Sequence, residues 1–265
     1  MTVAVNHVVD GPGNGRDGGD SEVVVLSGSL GSDLRMWQPQ VAPLTGAGYR
    51  VVRYDHRGHG GSPATQGPYD LSDLGGDLLS LLDALGVEAA HVAGLSLGGM
   101  VGMWVGAHAP ERVRSLTLCC TSAELGPRGM WSERAELVRV RGMAPIADAA
   151  LERWFTRGWR AGNPRRAEEF GEMIRATDPV GYAGCCAAIE NMDLLGALPR
   201  ITAPTLVISA AEDPSTPPEH GRRIAEAVAG ARLEIVREAA HLGNVQQPER
   251  FADLMVEHLE VQKHE

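Results

Sequence analysis

Short apolar segments alternate with longer amphipathic segments along most of this chain. The runs EVVVLSG, YRVVRYD, AAHVAG and VRSLTLCC are rich in β-branched residues, which is typical of buried strands. Segments between them, such as YDLSDLGGDLLSLLDALGV, have the apolar spacing of a helix with one buried face. Strands joined through helices of this length form right-handed crossovers, so the pattern predicts an α/β fold with a mostly parallel, doubly wound sheet.

This alternation stops at Thr121 and resumes after about Asp193. The middle stretch shows no convincing strand pattern, is rich in Arg, Glu, Ala, Trp and Met, and is broken by Pro and Gly residues, which predicts several short helices. Beyond it, APTLVISA and ARLEIVRE predict two more strands, each followed by a helix. We therefore expect one core domain, residues 1–120 and 195–265, with a helical cap, residues 121–194, inserted into it.

The N-terminal region contains the glycine-rich segment GPGNGRDGGD, residues 11–20. We expect it to form the turn of an N-terminal hairpin. It contains G-x-G spacing, but no helix follows, so a surface loop is favoured over a dinucleotide site. The first residues lack the features of a secretory signal, and no apolar run approaches the ~20 residues of a membrane helix, so we expect a soluble, cytoplasmic protein without a membrane partner.

Charge and cysteine spacing argue against several classes of partner. The formal net charge is −10, and no basic stripe is available to bind a phosphate backbone, which argues against nucleic acid. The four cysteines form two adjacent pairs, Cys119-Cys120 and Cys185-Cys186. Adjacent cysteines rarely satisfy disulfide geometry, and neither pair has C-x-x-C spacing, so we expect reduced thiols that pack in the interior rather than a zinc or redox site.

The hexapeptide GLSLGG, residues 94–99, lies where a predicted strand turns at once into a predicted helix. In a G-x-S-x-G motif, Gly94 and Gly98 permit a sharp turn that exposes the hydroxyl of Ser96. That hydroxyl then lies at a helix N-terminus, where unpaired N–H groups and the helix dipole favour negative charge. The motif predicts a nucleophile beside a site for an oxyanion; the alternative is an ordinary glycine-rich junction.

A serine nucleophile needs a base, and the base needs an orienting carboxylate. Glu212 and Asp213 directly follow one predicted strand, and His241 follows the next. Catalytic groups collect at the carboxyl ends of parallel strands. We choose Asp213 as the acid because it precedes Pro214 at the turn, and we expect Glu212 to be a solvated neighbour. The chain order Ser96, Asp213, His241 is the order expected for this motif.

Two other histidines, His56 and His59, compete with His241 for the role of base. They lie in the segment DHRGHGGS, whose glycines and charged residues indicate a turn held by internal hydrogen bonds. His241 therefore remains the predicted base.

Taken together, these motifs resemble the α/β-hydrolase family over nearly the whole chain, and YDHRGHGGS resembles its D-x-R-G-x-G-x-S segment. The resemblance implies a helical cap inserted after the sixth strand. The family's oxyanion loop usually begins H-G-x, whereas this chain has SGSLG, residues 27–31, without the histidine. In this family two backbone N–H groups form the oxyanion hole. The resemblance implies that Ser29 and Leu97 supply them here.

Four segments resemble the 3-oxoadipate enol-lactonases of aromatic-acid catabolism: LSGSLGSDLRMW, GLSLGGMVGMW, CCTSAELGPRGMWSER and AEDPSTPP. The resemblance implies that Ser96 attacks a lactone carbonyl while His241 takes its proton and Asp213 holds the imidazole. Ring opening then releases an enol that becomes a ketone, and water releases 3-oxoadipate from the acyl-enzyme. This chemistry requires neither a metal nor an organic cofactor.

An enol-lactone of this class is a small molecule that carries a carboxylate. An acidic protein can hold that group with a local cation, most effectively a bidentate arginine. The candidate cations near cap turns or tryptophans are Arg128, Arg134, Arg153 and Arg157. Trp131 and Trp154 are candidates for an apolar wall over the ligand. The alternatives are solvated arginines and tryptophans that only form the core of the cap.

Three classes of function stay open at the level of sequence. The first is hydrolysis of a carboxylated enol-lactone. The second is another reaction of the same family, by a carboxylesterase, a C–C bond hydrolase of dienoic keto acids, or a perhydrolase; perhydrolases of this fold usually have a proline in the oxyanion loop, and SGSLG has none. The third is a non-catalytic protein that uses the pocket as a receptor. The sequence does not indicate an oligomeric state.

Overall fold

The computed structural model describes residues 1–12, 21–127 and 129–262. Within these ranges seven strands form one sheet in the order β1-β3-β2-β4-β5-β6-β7. The strands are β1 (His7–Asp10), β2 (Val23–Ser27), β3 (Arg50–Tyr54), β4 (Ala90–Leu95), β5 (Val113–Cys119), β6 (Thr205–Ala210) and β7 (Arg232–Val236). β1 runs antiparallel to β3, and each other neighbouring pair is parallel, which confirms the predicted mostly parallel sheet.

Helices connect these strands and fill the long interval between β5 and β6. The helices are α1 (Gln38–Gly46), α2 (Leu71–Ala84), α3 (Leu97–His108), α4 (Met130–Arg141), α5 (Ala144–Trp154), α6 (Arg157–Gly162), α7 (Pro164–Arg175), α8 (Pro179–Asn191), α9 (Pro218–Ala227), α10 (Gly243–Gln246) and α11 (Pro248–Gln262). Helices α4 to α8 form the helical insertion between β5 and β6. The boundaries predicted for a separate cap, residues 121–194, stay a prediction.

Burial explains why the central strands are continuous apolar runs. Every residue of β2, β4 and β6 is buried, as expected for strands covered on both faces. The edge strands β1 and β7 contain exposed or half-buried residues at most positions. The apolar core therefore lies around the middle of the sheet, next to the ends of β2 and β4.

The chain changes its direction of travel across the sheet after β3. The step from β2 to β3 goes one way, and the step from β3 to β4 goes the other way. Because such crossovers are right-handed, α1 and α2 lie on opposite faces of the sheet. Accordingly α1 packs against α11, and α2 packs against α3. The change of direction leaves β2 and β4 as neighbours, and in open α/β sheets the crevice at such a point is where ligands bind.

The N-terminal region differs from the prediction. β1 pairs with β3, not with β2, so the predicted N-terminal hairpin is wrong. The buried side chain of Arg53 donates to Oδ2 of Asp10 from Nε and Nη2, at 3.0 and 2.8 Å, and this charged pair joins the two strands. Of the predicted turn, residues 13–20 lie outside the described residues.

The helical insertion follows the fifth strand of the described chain rather than the sixth. The reason is that the described N-terminal region supplies one antiparallel strand where a hairpin would supply two. At its α8 end the insertion contacts the core closely: Asp178 N–H donates to Gly58 O at 3.1 Å. The two backbones can approach this closely because a Cβ on Gly181 would overlap Gly58.

The four cysteines are free and buried, as predicted. Burial raises the pKa of each thiol, that of Cys186 to about 12, so the thiols stay protonated at neutral pH. Among the helices of the described ranges, none combines the length and apolar character needed to cross a membrane.

Candidate active site

Ser96 lies in the sharp turn between β4 and α3. Its φ is 57° and its ψ is −114°, a conformation that is costly for any residue other than glycine and that marks functional turns. The turn is held by its backbone: Ser96 N–H donates to Cys119 O at 3.0 Å, and the Thr121 hydroxyl donates to Ser96 O at 2.7 Å. The side chain, in a residue only 8% exposed, reaches the wall of a cavity.

The glycines around Ser96 permit this turn, as the motif predicted. A Cβ on Gly94 would overlap Gly98 O, and a Cβ on Gly98 would overlap Ser27 O. Gly98 N–H also donates to Gly28 O at 2.9 Å, which joins the start of α3 to the loop after β2. Local sequence therefore brings Ser96 next to the oxyanion loop predicted at residues 27–31.

A matched pair of glycine substitutions on α3 tests this packing. We expect Gly98→Ala to lower the free energy of unfolding by about 3 kcal/mol, because the backbone of Ser27 cannot move away from the new methyl group. Gly102→Ala, whose Cβ would meet Leu118 at 3.5 Å, should instead raise stability by about 1 kcal/mol through helix propensity. Urea unfolding of both variants measures the difference; equal effects would contradict the packing.

Asp213 and His241 are brought together from two neighbouring strands. Asp213 follows β6 and His241 follows β7, and Nδ1 of His241 lies 2.8 Å from Oδ2 of Asp213. The Thr216 hydroxyl donates to the same oxygen at 2.7 Å, and the N–H groups of Ser215 and Thr216 donate to Oδ1. The carboxylate is thus fixed in orientation, and it can only accept from Nδ1–H of His241.

The charge state of Asp213 follows from these contacts. Burial by itself would raise the pKa of this carboxyl, but the neighbouring His241 and the hydrogen bonds from Thr216 hold the pKa below its usual value. The competing acid Glu212 is exposed at the surface. The structure therefore pairs His241 with the acid that the sequence favoured.

The two competing histidines, His56 and His59, form hydrogen bonds to the loop after β2 instead. His56 Nε2 lies 3.1 Å from Gly28 O, and burial lowers the pKa of His56 to about 3, so the ring is neutral and donates. His59 Nε2 accepts from Gly31 N–H at 2.9 Å, and its Nδ1 lies 3.1 Å from Arg57 O. The bonds to Gly28 and Gly31 join the DHRGHGGS segment to that loop. The internal hydrogen bonds that the sequence indicated include those from Gly61 N–H to Asp55 Oδ2 and from the Ser62 hydroxyl to Asp55 O.

The two N–H groups predicted to hold an oxyanion have different surroundings. Leu97 is the first residue of α3, so no carbonyl one turn earlier accepts from its N–H. The N–H of Ser29 points at Sδ of Met36, at 3.3 Å, and that sulfur also accepts from the Ser32 hydroxyl at 2.9 Å. A thioether is a weak acceptor, so an anionic oxygen is the stronger partner for the Ser29 N–H.

A cavity of about 270 Å³ contains the side chains predicted to act together. From the core it is lined by Ser29, Leu30, Ser96, Met100 and His241, among others. The side chains that line it from the helical insertion are Met130, Trp131, Arg134, Ala150, Arg153, Trp154, Tyr182 and Ile189. The predicted nucleophile, the predicted base and the insertion thus line one cavity.

Some of the predicted cations and tryptophans line the cavity in the structure, and others do not. Arg134 and Arg153 line the cavity with Trp131 and Trp154, and the Arg134 guanidinium lies 4.6 Å from the centre of the Trp131 ring. Arg157 is exposed on α6 and does not line the cavity. Arg128, the remaining candidate, lies outside the described residues.

Two polar residues of the site were missed by sequence reasoning. Tyr182, on α8, is buried in the cavity wall, and burial raises the pKa of its hydroxyl, which stays protonated. Thr216 supplies a hydroxyl to Asp213. A signal for Thr216 was present in the segment AEDPSTPP, because a residue three positions after an aspartate at a turn is placed to donate to it. Tyr182 lies in a helix whose sequence carries no such signal.

In residues 1–12, 21–127 and 129–262, no group of three or more His, Cys, Asp or Glu side chains is placed to hold a metal ion.

Comparison with known proteins relates this chain to one family. Residues 22–248 match the family model described as alpha/beta hydrolase fold. The 3-oxoadipate enol-lactonase 2 of Acinetobacter baylyi is 40% identical over 232 residues, 88% of this chain and 86% of that protein. A relative from Variovorax paradoxus, described as a candidate carbamate hydrolase, RutD, is 32% identical over 85% of this chain and 87% of its own.

The same relationship holds for solved structures. The enol-lactonase from Burkholderia xenovorans LB400 superposes with a TM-score of 0.92 at 39% sequence identity, over 97% of this chain and 96% of that one. Likeness of this extent covers the sheet, the glycine turn and the helical insertion together. This chain belongs to the alpha/beta hydrolase fold family, in which its relatives include 3-oxoadipate enol-lactonases.

Proposed function

We propose that this protein hydrolyses a carboxylated enol-lactone, 3-oxoadipate enol-lactone, to 3-oxoadipate through an acyl-enzyme on Ser96. The observation that carries the proposal is the set of side chains that line the cavity. Ser96 and His241 share it with Arg134 and Arg153, and neither arginine has an acidic partner within 4.0 Å in the described part of the chain. A serine that shares a cavity with a histidine and with two cations that have no acidic partner fits an ester-like substrate with a carboxylate.

In the first step the hydroxyl of Ser96 attacks the lactone carbonyl. His241 accepts the hydroxyl proton at Nε2 while its Nδ1–H donates to Asp213, 2.8 Å away. The carbonyl oxygen becomes an oxyanion that accepts from the N–H groups of Leu97 and Ser29. The Ser29 N–H then donates to the oxyanion instead of to the Met36 sulfur. Each such donor contributes roughly 3 to 4 kcal/mol of transition-state stabilisation.

In the second step the tetrahedral intermediate collapses and the ring C–O bond breaks. The leaving oxygen belongs to an enol, which takes the proton from His241 Nε2 and converts to a ketone at the far end of the acyl chain. Water then enters, gives a proton to the same nitrogen and attacks the acyl carbon. Breaking the bond to Ser96 Oγ returns that proton to the serine and releases the free acid.

The carboxylate of the substrate is placed between the two arginines. Burial lowers the pKa of Arg153, and the charge of Arg134 lowers it further, so an anion bound there relieves a repulsion that already exists. The indole Nε1–H of Trp131 is buried in the same wall without a hydrogen-bond partner among the described residues.

Replacement of Arg134 tests this placement. We expect Arg134→Met, which keeps the apolar stem over Trp131, to raise KM for the lactone by roughly 10 to 100-fold, the value of hydrogen bonds to a charged group. KM and kcat for the neutral ester p-nitrophenyl acetate should not change. The matched control is Arg157→Met, since Arg157 is exposed outside the cavity. Equal losses on both substrates would show that the arginine does not recognise a carboxylate.

A carbamate is the competing substrate, because a relative at 32% identity carries that description. The same triad geometry serves either bond. A neutral carbamate ester offers the arginines no carboxylate, so such a carbamate and the lactone differ in the group that the arginines can hold. Loss of activity in Arg134→Met on the lactone alone supports the lactone; efficient carbamate hydrolysis with no lactone hydrolysis would replace the proposal.

A further inference from the structure

The loop that carries His241 is joined directly to the helical insertion. His241 N–H donates to Arg153 O at 3.3 Å, and Leu242 N–H donates to Trp154 O at 3.0 Å. Arg153 and Trp154 form the last residues of α5, and their side chains line the cavity. The helix that presents side chains to the ligand is therefore also the helix on which the histidine loop rests.

Gln246, in α10, adds a side-chain bridge to this joint. Its Oε1 accepts from Ala240 N–H at 2.8 Å and from Thr156 N–H at 3.4 Å, and its Nε2 donates to the Thr156 hydroxyl oxygen at 3.0 Å. The orientation of the amide follows from its partners, because two backbone N–H groups can only be met by the oxygen. Gln246 is 8% exposed, so water does not readily replace these bonds.

We propose that Gln246 is a positioning residue that locks the His241 loop to Thr156 of the insertion, so that Nε2 of His241 stays aligned with Ser96 when the insertion binds substrate. The proposal rests on the proposed function, since Gln246 acts only through His241. Ala240, whose N–H it holds, directly precedes His241 in the chain. The bridge spans the joint between the loop after β7 and the loop after α5.

Proton transfer between Ser96 and His241 tolerates little displacement of either side chain. Without the amide oxygen, the buried N–H of Ala240 has no acceptor, and the loop must shift to find one. A displacement of about 1 Å in a catalytic group lowers a rate by roughly 100-fold. Binding in the cavity does not depend on the histidine to the same degree, so the loss should fall on kcat rather than on KM.

The test compares two neighbouring glutamines. Gln246→Met keeps the length of the side chain and removes every hydrogen bond of the bridge. Gln247→Met removes a side chain that donates to Glu238 O, at 3.2 Å, and to no other group among the described residues. A small fluorophosphonate carries no carboxylate for the arginines of the insertion, so it reports the reactivity of Ser96 with His241 without that contact, and lactone hydrolysis reports the complete reaction. Each rate is divided by the folded fraction from circular dichroism.

We expect Gln246→Met to lower both the phosphonylation rate and kcat by about 10 to 100-fold, with KM changed by less than about threefold. Gln247→Met should react like the wild type. A Gln246→Met protein that melts at a lower temperature but reacts at the wild-type rate would overturn the proposal, since the residue would then be structural only. A wild-type protein that does not react with the reagent would overturn the serine mechanism itself.

A second pair of variants keeps the proposal testable if Gln246→Met does not fold. Thr156→Val removes the hydroxyl that Gln246 binds and that also accepts from Trp159 N–H at the start of α6, whereas Thr156→Ser keeps both bonds. We expect Thr156→Val to lower kcat by about three to tenfold and Thr156→Ser to restore it. Equal kcat values for Thr156→Val and the wild type would contradict the bridge.

Discussion

Ser96→Ala should lower kcat for lactone hydrolysis by about 10⁵-fold or more, the scale found when a serine nucleophile is removed from a triad. The substitution deletes one oxygen that lines the cavity. The hydrogen bonds that hold the turn involve only the backbone of residue 96, so they remain. Steady-state kinetics gives the loss, and an unchanged melting temperature shows that the fold is retained.

Ser122→Ala is the matched control for loss of a buried serine hydroxyl. Ser122 follows β5, lies outside the cavity and contacts His220 Nδ1 at 2.7 Å. We expect this variant to lose some stability and to keep its kcat. A Ser96→Ala protein that retained most of its activity would remove the acyl-enzyme, and with it the proposed mechanism.

The second large effect is expected for Asp213→Asn, about 10⁴-fold in kcat, the size seen when a triad aspartate becomes an amide. The N–H groups of Ser215 and Thr216 require an oxygen at the Oδ1 position. The amide NH₂ must therefore face His241 Nδ1 and donate to it. His241 then carries its proton on Nε2, where it cannot accept the proton of Ser96.

Glu212→Gln provides the comparison for this prediction. Glu212 is adjacent in the chain and also has a carboxyl group, but its side chain is exposed. We expect kcat within about twofold of the wild-type value. Kinetics of the two variants on one substrate distinguishes the acids, and a larger loss for Glu212→Gln would reverse the assignment.

Several parts of the fold and site follow from local sequence. The alternation of apolar runs and helices predicts the parallel sheet because a strand buried on both faces has no polar side. The G-x-S-x-G turn, Asp213 and His241 follow because each comes directly after such a strand, and parallel strands bring their carboxyl ends to one edge. This reasoning needs only neighbouring residues and the direction of the chain.

Other parts depend on contacts between distant segments. The pairing of β1 with β3 is joined by Arg53 and Asp10, which no local pattern connects. Helix α4 begins at Met130, and the residue before it, Gly129, has no side chain to cap it. Glu190 on α8 accepts from the N–H groups of Gly129, Trp131 and Ser132 instead. The position of Trp131 is thus set by a carboxylate far along the chain.

The surroundings of the Ser29 N–H depend on how a nearby part of the chain folds back on it. The sequence places Ser29 after β2, but the approach of the Met36 sulfur follows from how the next turn folds back on the loop. Periodicity does not encode such a contact. The same holds for Arg134 and Arg153, which α4 and α5 direct to one cavity while Arg157 on α6 stays exposed.

The most direct test of the proposed function is hydrolysis by the purified protein of 3-oxoadipate enol-lactone, generated in place, beside p-nitrophenyl acetate and a small carbamate, with Ser96→Ala as the control. We predict kcat/KM for the lactone of roughly 10⁴ M⁻¹s⁻¹ or above, far higher than for the other two substrates, and no activity in the variant. Comparable or higher kcat/KM for the ester or the carbamate would contradict the assignment to a carboxylated lactone.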